Sequence, residues 1–102
     1  MLEKDIQNVI CEYLEYKRYF FWRQNTTPVF DKTRGLYRSM PKFSKKGVAD
    51  IIVIKDGKAI FLEVKQPKGR QSDDQKFFEK DAKENGAEYH VVTSLDDVMG
   101  IL

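Results

Sequence analysis

Hydrophobic positions recur along this chain in two rhythms. In the first, Leu2, Ile6, Val9, Ile10, Tyr13 and Leu14 are spaced by threes and fours, which makes one apolar stripe and predicts an amphipathic helix over Leu2 to Lys17. Glu3 falls along the edge of that stripe; it either points at something inside or serves as a first-turn acid favoured by the helix dipole. The second rhythm is that of strands. Arg18 to Asn25, with Tyr19-Phe20-Phe21-Trp22, reads as a first strand closed by Thr26-Thr27-Pro28. Gly47 to Gln66 then holds two apolar runs on either side of Asp56-Gly57. That pair between hydrophobic runs signals a hairpin with a two-residue type I′ turn, which needs φ > 0 at both central residues.

The turn fixes a register by counting. Lys55 faces Lys58, Ile54 faces Ala59, and outward along the ladder Asp50 faces Glu63. Lys65, two residues beyond Glu63, leaves the same face of its strand. Ile52, Ile54 and Phe61 lie on the Asp50 side, and Ile51, Val53, Ile60 and Leu62 on the other. Strands apolar on both faces are central strands covered on both.

Pro67 and Gly69 stop the second hairpin strand. Ser72 with Gln75 three residues on matches a capping box, opening a helix through Phe77, Phe78 and Ala82 that ends at Asn85-Gly86. Gln75 has two readings: a cap alone, or a side chain reaching back to the Glu63/Lys65 strand. Glu88 to Thr93 reads as a short strand, and Ser94 with Asp97 opens a last helix to Leu102. The expected fold is α/β, a single domain over 1–102 in the order helix, strand, loop, hairpin, helix, strand, helix, with a mixed central sheet flanked by helices.

Opposed like charges in a strand pair are destabilising, so Asp50 against Glu63 asks for an explanation. Two facing carboxylates suit a hard divalent cation such as Mg²⁺, usually held by one or two carboxylates plus substrate phosphates. The plainer reading puts Asp50 at a frayed strand entrance, with Lys65 neutralising Glu63.

Composition narrows the options. At 102 residues there is room for one core. The longest apolar run is far too short to span a bilayer, and Met1 to Asp5 lacks the plan of a secretory signal. Cys11 is the sole cysteine, so no internal disulfide forms and a reducing cytoplasmic setting is expected. One Cys and one His exclude a Cys/His zinc site within a single chain. With Cys11 on a helix face and His90 in a strand, both read as structural.

The net charge is only +2, yet Asp31 to Lys46 holds six basic residues (Lys32, Arg34, Arg38, Lys42, Lys45 and Lys46) against one acid, leaving the rest of the chain acidic. Phe30, Tyr37 and Phe43 are interleaved with them. Cations for phosphates and flat rings for bases are the components of a nucleic-acid contact; the competing reading is a solvated loop whose aromatics tuck onto the core. Gly35 and Pro41 argue against continuous regular structure there.

Gly47-Val48-Ala49-Asp50, then Glu63-Val64-Lys65, then Gln75 resembles the restriction-endonuclease-like superfamily, named for Pro-Asp…(Asp/Glu)-x-Lys. The closer resemblance is to the virus-type replication-repair nuclease domain, VRR-Nuc. It rests on the early Glu3 in an N-terminal helix, the small-residue approach to Asp50, Glu63-x-Lys65, Gln75 opening the next helix, and a similar tail. Ala49 departs from the Pro that often precedes the Asp. The resemblance implies a phosphodiesterase dependent on Mg²⁺ or Mn²⁺. It implies Asp50, Glu63, the carbonyl of Val64 and Glu3 around the metal, Lys65 at the attacking water or the anionic transition state, and Gln75 orienting Lys65 or the phosphate. It further implies branched DNA as substrate, Holliday-junction resolution by a homodimer, no membrane partner and no nucleotide cofactor. Lys32, Arg34, Tyr37, Arg38, Lys42, Lys45 and Lys46 are the expected DNA contacts. Two other classes remain: a non-catalytic nucleic-acid-binding module with remnant carboxylates, and a small domain whose basic loop binds an acidic protein.

Overall fold

The hairpin at Asp56-Gly57 forms the middle of the sheet. In the computed structural model, residues 1–24, 30–37 and 42–102 are described, with Phe30, Asp31, Leu36 and Tyr37 by backbone alone. The elements in order are α1 (Glu3–Tyr16), β1 (Phe20–Arg23), β2 (Phe30–Asp31), β3 (Leu36–Tyr37), β4 (Ile51–Lys55), β5 (Lys58–Val64), α2 (Asp73–Glu84), β6 (Glu88–Val92) and α3 (Leu95–Ile101). β1, β4, β5 and β6 make one sheet in the order β1-β4-β5-β6, and β2 with β3 makes a separate two-stranded ribbon.

Asp56 and Gly57 both have positive φ, 52° and 76°, as the type I′ turn demands. The ladder pairs Lys55 with Lys58, Ile54 with Ala59, Ile52 with Phe61 and Ile51 with Leu62, the register obtained by counting. β1 joins β4 antiparallel, with Trp22 opposite Ile52 and Phe20 opposite Ile54. β6 joins β5 in parallel after the crossover through α2, setting Tyr89 beside Phe61 and Val91 beside Glu63. The sheet is therefore mixed, as expected.

One face packs on α1 and α3. Ile6, Ile10 and Leu14 of α1 and Val98 of α3 bury Ile51, Val53, Ile60, Leu62, Val64 and Val92, and Phe21 packs against this cluster. Arg23 fastens β1 to α1 through Gln7 Oε1 and Asn8 Oδ1, each at 3.2 Å. Leu2 and Val9, counted in the helical stripe from spacing, are exposed. α1 ends at Tyr16, three residues before Tyr19. Arg18 takes the left-handed conformation at φ 62°, and the amides of Arg18 and Tyr19 bond to the carbonyls of Glu15 and Leu14 at 3.0 Å each. This is a Schellman closure without the usual glycine. The first strand consequently starts at Phe20 rather than Arg18.

The other face is covered only in part. Phe78 of α2 meets Phe61 of β5 edge-on, with ring centroids 5.0 Å apart, and also packs near Tyr89 of β6. A helix is about 10 Å across, whereas strands lie about 4.8 Å apart. One helix over β5 and β6 therefore cannot alone roof all four strands. Among the described residues Phe20, Trp22 and Ile54 are exposed on this face whereas Ile52 is buried, so cover on both faces extends over β5, β6 and the Ile52 end of β4 but not over β1 and the Ile54 end.

Candidate active site

Asp50 stands one residue before the β4–β5 ladder begins. Its carbonyl accepts from the Gln24 amide at 2.8 Å, which ties it to β1. Its carboxylate Oδ2 accepts from the Val64 amide at 2.8 Å. The strand entrance is thus closed by a side chain rather than frayed, and Asp50 is held against the partner strand at Glu63.

Glu63 is 2% exposed. Gln75 donates from Nε2 to Glu63 Oε1 at 2.8 Å, and the Tyr89 hydroxyl donates to Oε2 over a long 3.4 Å. Lys65 Nζ lies 4.0 Å from Oε1. Burial, then the charge and hydrogen bonding of Asp50, push the Glu63 carboxyl up to about 8; Lys65 and Tyr89 act in the opposite direction without cancelling this. Burial and Glu63 also raise the Tyr89 hydroxyl, keeping it protonated as a donor.

The two readings of Gln75 are both realised by one amide. Its Oε1 accepts from the Ser72 backbone N–H at 2.8 Å while the Gln75 backbone N–H donates to Ser72 Oγ at 3.2 Å, completing the capping box. That leaves Nε2 to turn onto Glu63. Gly47 brings this helix end up to the site. It has φ +73°, and a Cβ there would lie 2.3 Å from the Asp74 carbonyl oxygen and 2.7 Å from the Gln75 amide. Any side chain would push the start of α2, and Gln75 with it, off the sheet.

Asp50, Glu63, Lys65 and Gln75 therefore converge, and Val64 meets Asp50 through its amide. Glu3 does not join them. It is exposed in the first turn of α1, and no three His, Cys, Asp or Glu side chains gather at one point among the described residues. The reason is local. α1 has no side-chain N-cap, and the acids of its first turn take the helix-dipole role. The lead-in to the helix is tied to the end of β5, because Gln66 Nε2 donates to the Met1 carbonyl at 3.1 Å. Lys32, Arg34, Lys42, Lys45 and Lys46 are exposed. Arg38 lies outside the described residues, and Tyr37 is placed in β3 by its backbone. Cys11 is partly buried against the core, and burial raises its thiol, which fits a structural residue.

Tyr89 is the site residue that sequence reasoning missed. It sits beside Glu63 only because β6 runs parallel to β5 after a helical crossover, and no turn lets that register be counted.

Two oxygen donors fit a small hard cation. Asp50 and Glu63 supply the one or two carboxylates such an ion takes from protein, with phosphate and water completing its shell. Burial first, and then the neighbouring Asp50 charge, raise Glu63, so a proton or a bound cation would each relieve the pair.

No protein-family model and no curated protein sequence matches the chain. A solved structure described as a VRR_NUC domain protein superimposes on it with a TM-score of 0.74, over 99% of this chain and 84% of the other, at 14% sequence identity. The chain thus has the fold of a VRR_NUC nuclease domain.

Proposed function

We propose that this domain is a divalent-metal-dependent DNA endonuclease, selective for DNA structure and of the Holliday-junction-resolving type, working as a cytoplasmic homodimer. The observation that carries the reading is the pairing of Asp50 with Glu63, the one buried charged side chain among the described residues, whose carboxyl is raised to about 8. A carboxylate pair that costs stability, and that one lysine at 4.0 Å does not neutralise, is a mark of a functional site.

Asp50 and Glu63 would hold Mg²⁺ or Mn²⁺, with the Val64 carbonyl as a neutral donor. When bound, the ion supplies positive charge at the scissile phosphate and acidifies a coordinated water. Gln75 Nε2 and Tyr89 Oη hold the Glu63 carboxylate from its two oxygens, so the carboxylate is oriented before substrate arrives. Lys65 stands beside Glu63 with its ammonium 4.0 Å away. Once Glu63 has lost its proton, that ammonium positions the attacking water or steadies charge growing on the phosphate. The exposed Lys42, Lys45 and Lys46 run into β4 and meet the DNA backbone. No helix among the described residues is long and apolar enough to cross a membrane.

Cleavage of a four-way junction, a flap and a linear duplex, compared on one gel, tests the reading. Metal-dependent cutting that favours the junction supports it; equal cutting of all three removes the junction claim. One observation favours a second reading, in which the domain binds nucleic acid without cutting it: both Glu63 oxygens have protein donors and no third acid joins the pair. Calorimetric titration with Mn²⁺ separates the two, since remnant carboxylates would take up no metal.

A further inference from the structure

Trp22 and Phe20 are large aromatic side chains on an outer strand, and both are solvent-exposed, at 41% and 69%. Residues opposed across strands share a face, so Trp22 shares one with Ile52 and Phe61, and Phe20 with Ile54 and Ala59. Asp50, two residues from Ile52, and Glu63, two from Phe61, lie on that same face. Diagonal neighbours across an antiparallel pair are about 7–8 Å apart, which is the separation this register gives Trp22 and Asp50. The Asp50 main chain is itself bonded to Gln24, two residues from Trp22. Trp22 therefore borders Asp50 on this face, with the buried Ile52 between the indole and the Glu63 strand.

The indole is also held in place. Its Nε1–H donates to Gln24 Oε1 at 3.1 Å, and the Phe20 ring meets it edge-on at 6.2 Å. Arg23, on the opposite side of the same strand, is tied to α1, so β1 cannot roll to bury these rings. Exposed aromatic side chains held in fixed orientations form a stacking surface for unpaired bases, to which every base offers a flat face.

We infer that Trp22, supported by Phe20, is a stacking platform for an unpaired base next to the phosphate held at Asp50 and Glu63, and that the substrate class is DNA with an unpaired nucleotide beside the cut. This rests on the nuclease reading for the identity of the cut but not for the binding itself. Base-paired DNA keeps its bases stacked on one another and gains nothing from the platform. A flap, gap or junction crossover presents a base free to lie on the indole.

Trp22 is the sole tryptophan, so its emission reports the contact directly. The full chain in EDTA at one fixed salt concentration is titrated with three probes: a short thymidine oligonucleotide, a blunt duplex, and a duplex carrying an unpaired thymidine flap. Saturable quenching by the oligonucleotide and the flap, with affinity at least about tenfold above that for the blunt duplex, is expected. Trp22→Ala should lose about tenfold in affinity for the flap and little for the duplex, whereas Trp22→Tyr keeps most of it. Wild-type protein that binds flap and duplex equally, or binds the flap without quenching, overturns the proposal, and this arm needs no folded variant. Emission and sedimentation that change with protein concentration alone would assign the face to a second copy of the chain and equally overturn it. The two readings fail separately: quenching without metal-dependent cleavage removes the nuclease and keeps the platform, while cleavage without quenching does the reverse.

Discussion

Glu63→Gln should stabilise the metal-free protein at and above neutral pH. Glu63 is 2% exposed, faces Asp50, and has its carboxyl raised from 4.5 to about 8. Between those values the folded chain holds a proton that the unfolded chain has released. Stability is therefore fully present below about pH 4.5 and is lost as pH rises through about 8. At about 1.4 kcal/mol per pKa unit, the whole window is worth on the order of 4–5 kcal/mol. That is a large part of the roughly 5–15 kcal/mol typical of a folded domain. Glutamine keeps the shape and the bond accepted from Gln75 through its oxygen, removes the charge facing Asp50, and places its NH2 at Oε2, where the Tyr89 hydroxyl turns from donor to acceptor. The other shifted groups leave the window clear: Glu79 and Glu88 are shifted down, and Cys11 and Tyr89 are shifted up from values already above it. Thermal melts in EDTA from pH 5 to pH 8.5 are the assay. Wild type should lose more than about 10 °C across that range, and Glu63→Gln should stay nearly flat. A wild-type melting temperature that holds or rises across the range would refute the account of the carboxylate pair.

Added Mg²⁺ or Mn²⁺ should raise the melting temperature of wild type at pH 8, by about 2.7 kcal/mol in stability at a hundred times Kd, and leave Glu63→Gln much less affected; equal shifts in both would place the ion elsewhere. Gly47→Ala should cost more than about 2 kcal/mol, because a Cβ at φ +73° would lie 2.3 Å from the Asp74 carbonyl oxygen, and urea unfolding measures it. Ser72→Ala should cost about 1 kcal/mol through the lost cap, and it should also lower cleavage by loosening Gln75; unchanged cleavage would show that the cap does not orient that side chain.

The hairpin and its site were legible because a two-residue turn fixes the register of everything attached to it. Asp56-Gly57 admits one turn geometry, so Asp50, Glu63 and Lys65 could be placed by counting. Ser72 and Gln75 were legible for a similar reason, since a capping box is a spacing. What was not legible depends on packing across the chain. Tyr89 reaches Glu63 through a parallel pairing set by how α2 lies on the sheet. Glu3 has the same position in the helical pattern whether it points inward or outward, and only the tertiary arrangement leaves it exposed. Arg18 closes α1 in a conformation that sequence associates with glycine. Phe20 and Trp22 are exposed while Ile52 on the same face is buried, a distinction set by tertiary packing and absent from any local pattern.

Single-turnover cleavage of branched DNA by wild type beside Asp50→Asn measures whether Asp50 and Glu63 act together on a phosphodiester. Asparagine keeps an oxygen to accept from the Val64 amide, so the strand entrance stays closed and circular dichroism should be unchanged. The account predicts cleavage by wild type that needs Mg²⁺ or Mn²⁺ and falls at least about a hundredfold in the variant. Cleavage by Asp50→Asn at the wild-type rate, or wild-type cleavage that persists in EDTA, would contradict it.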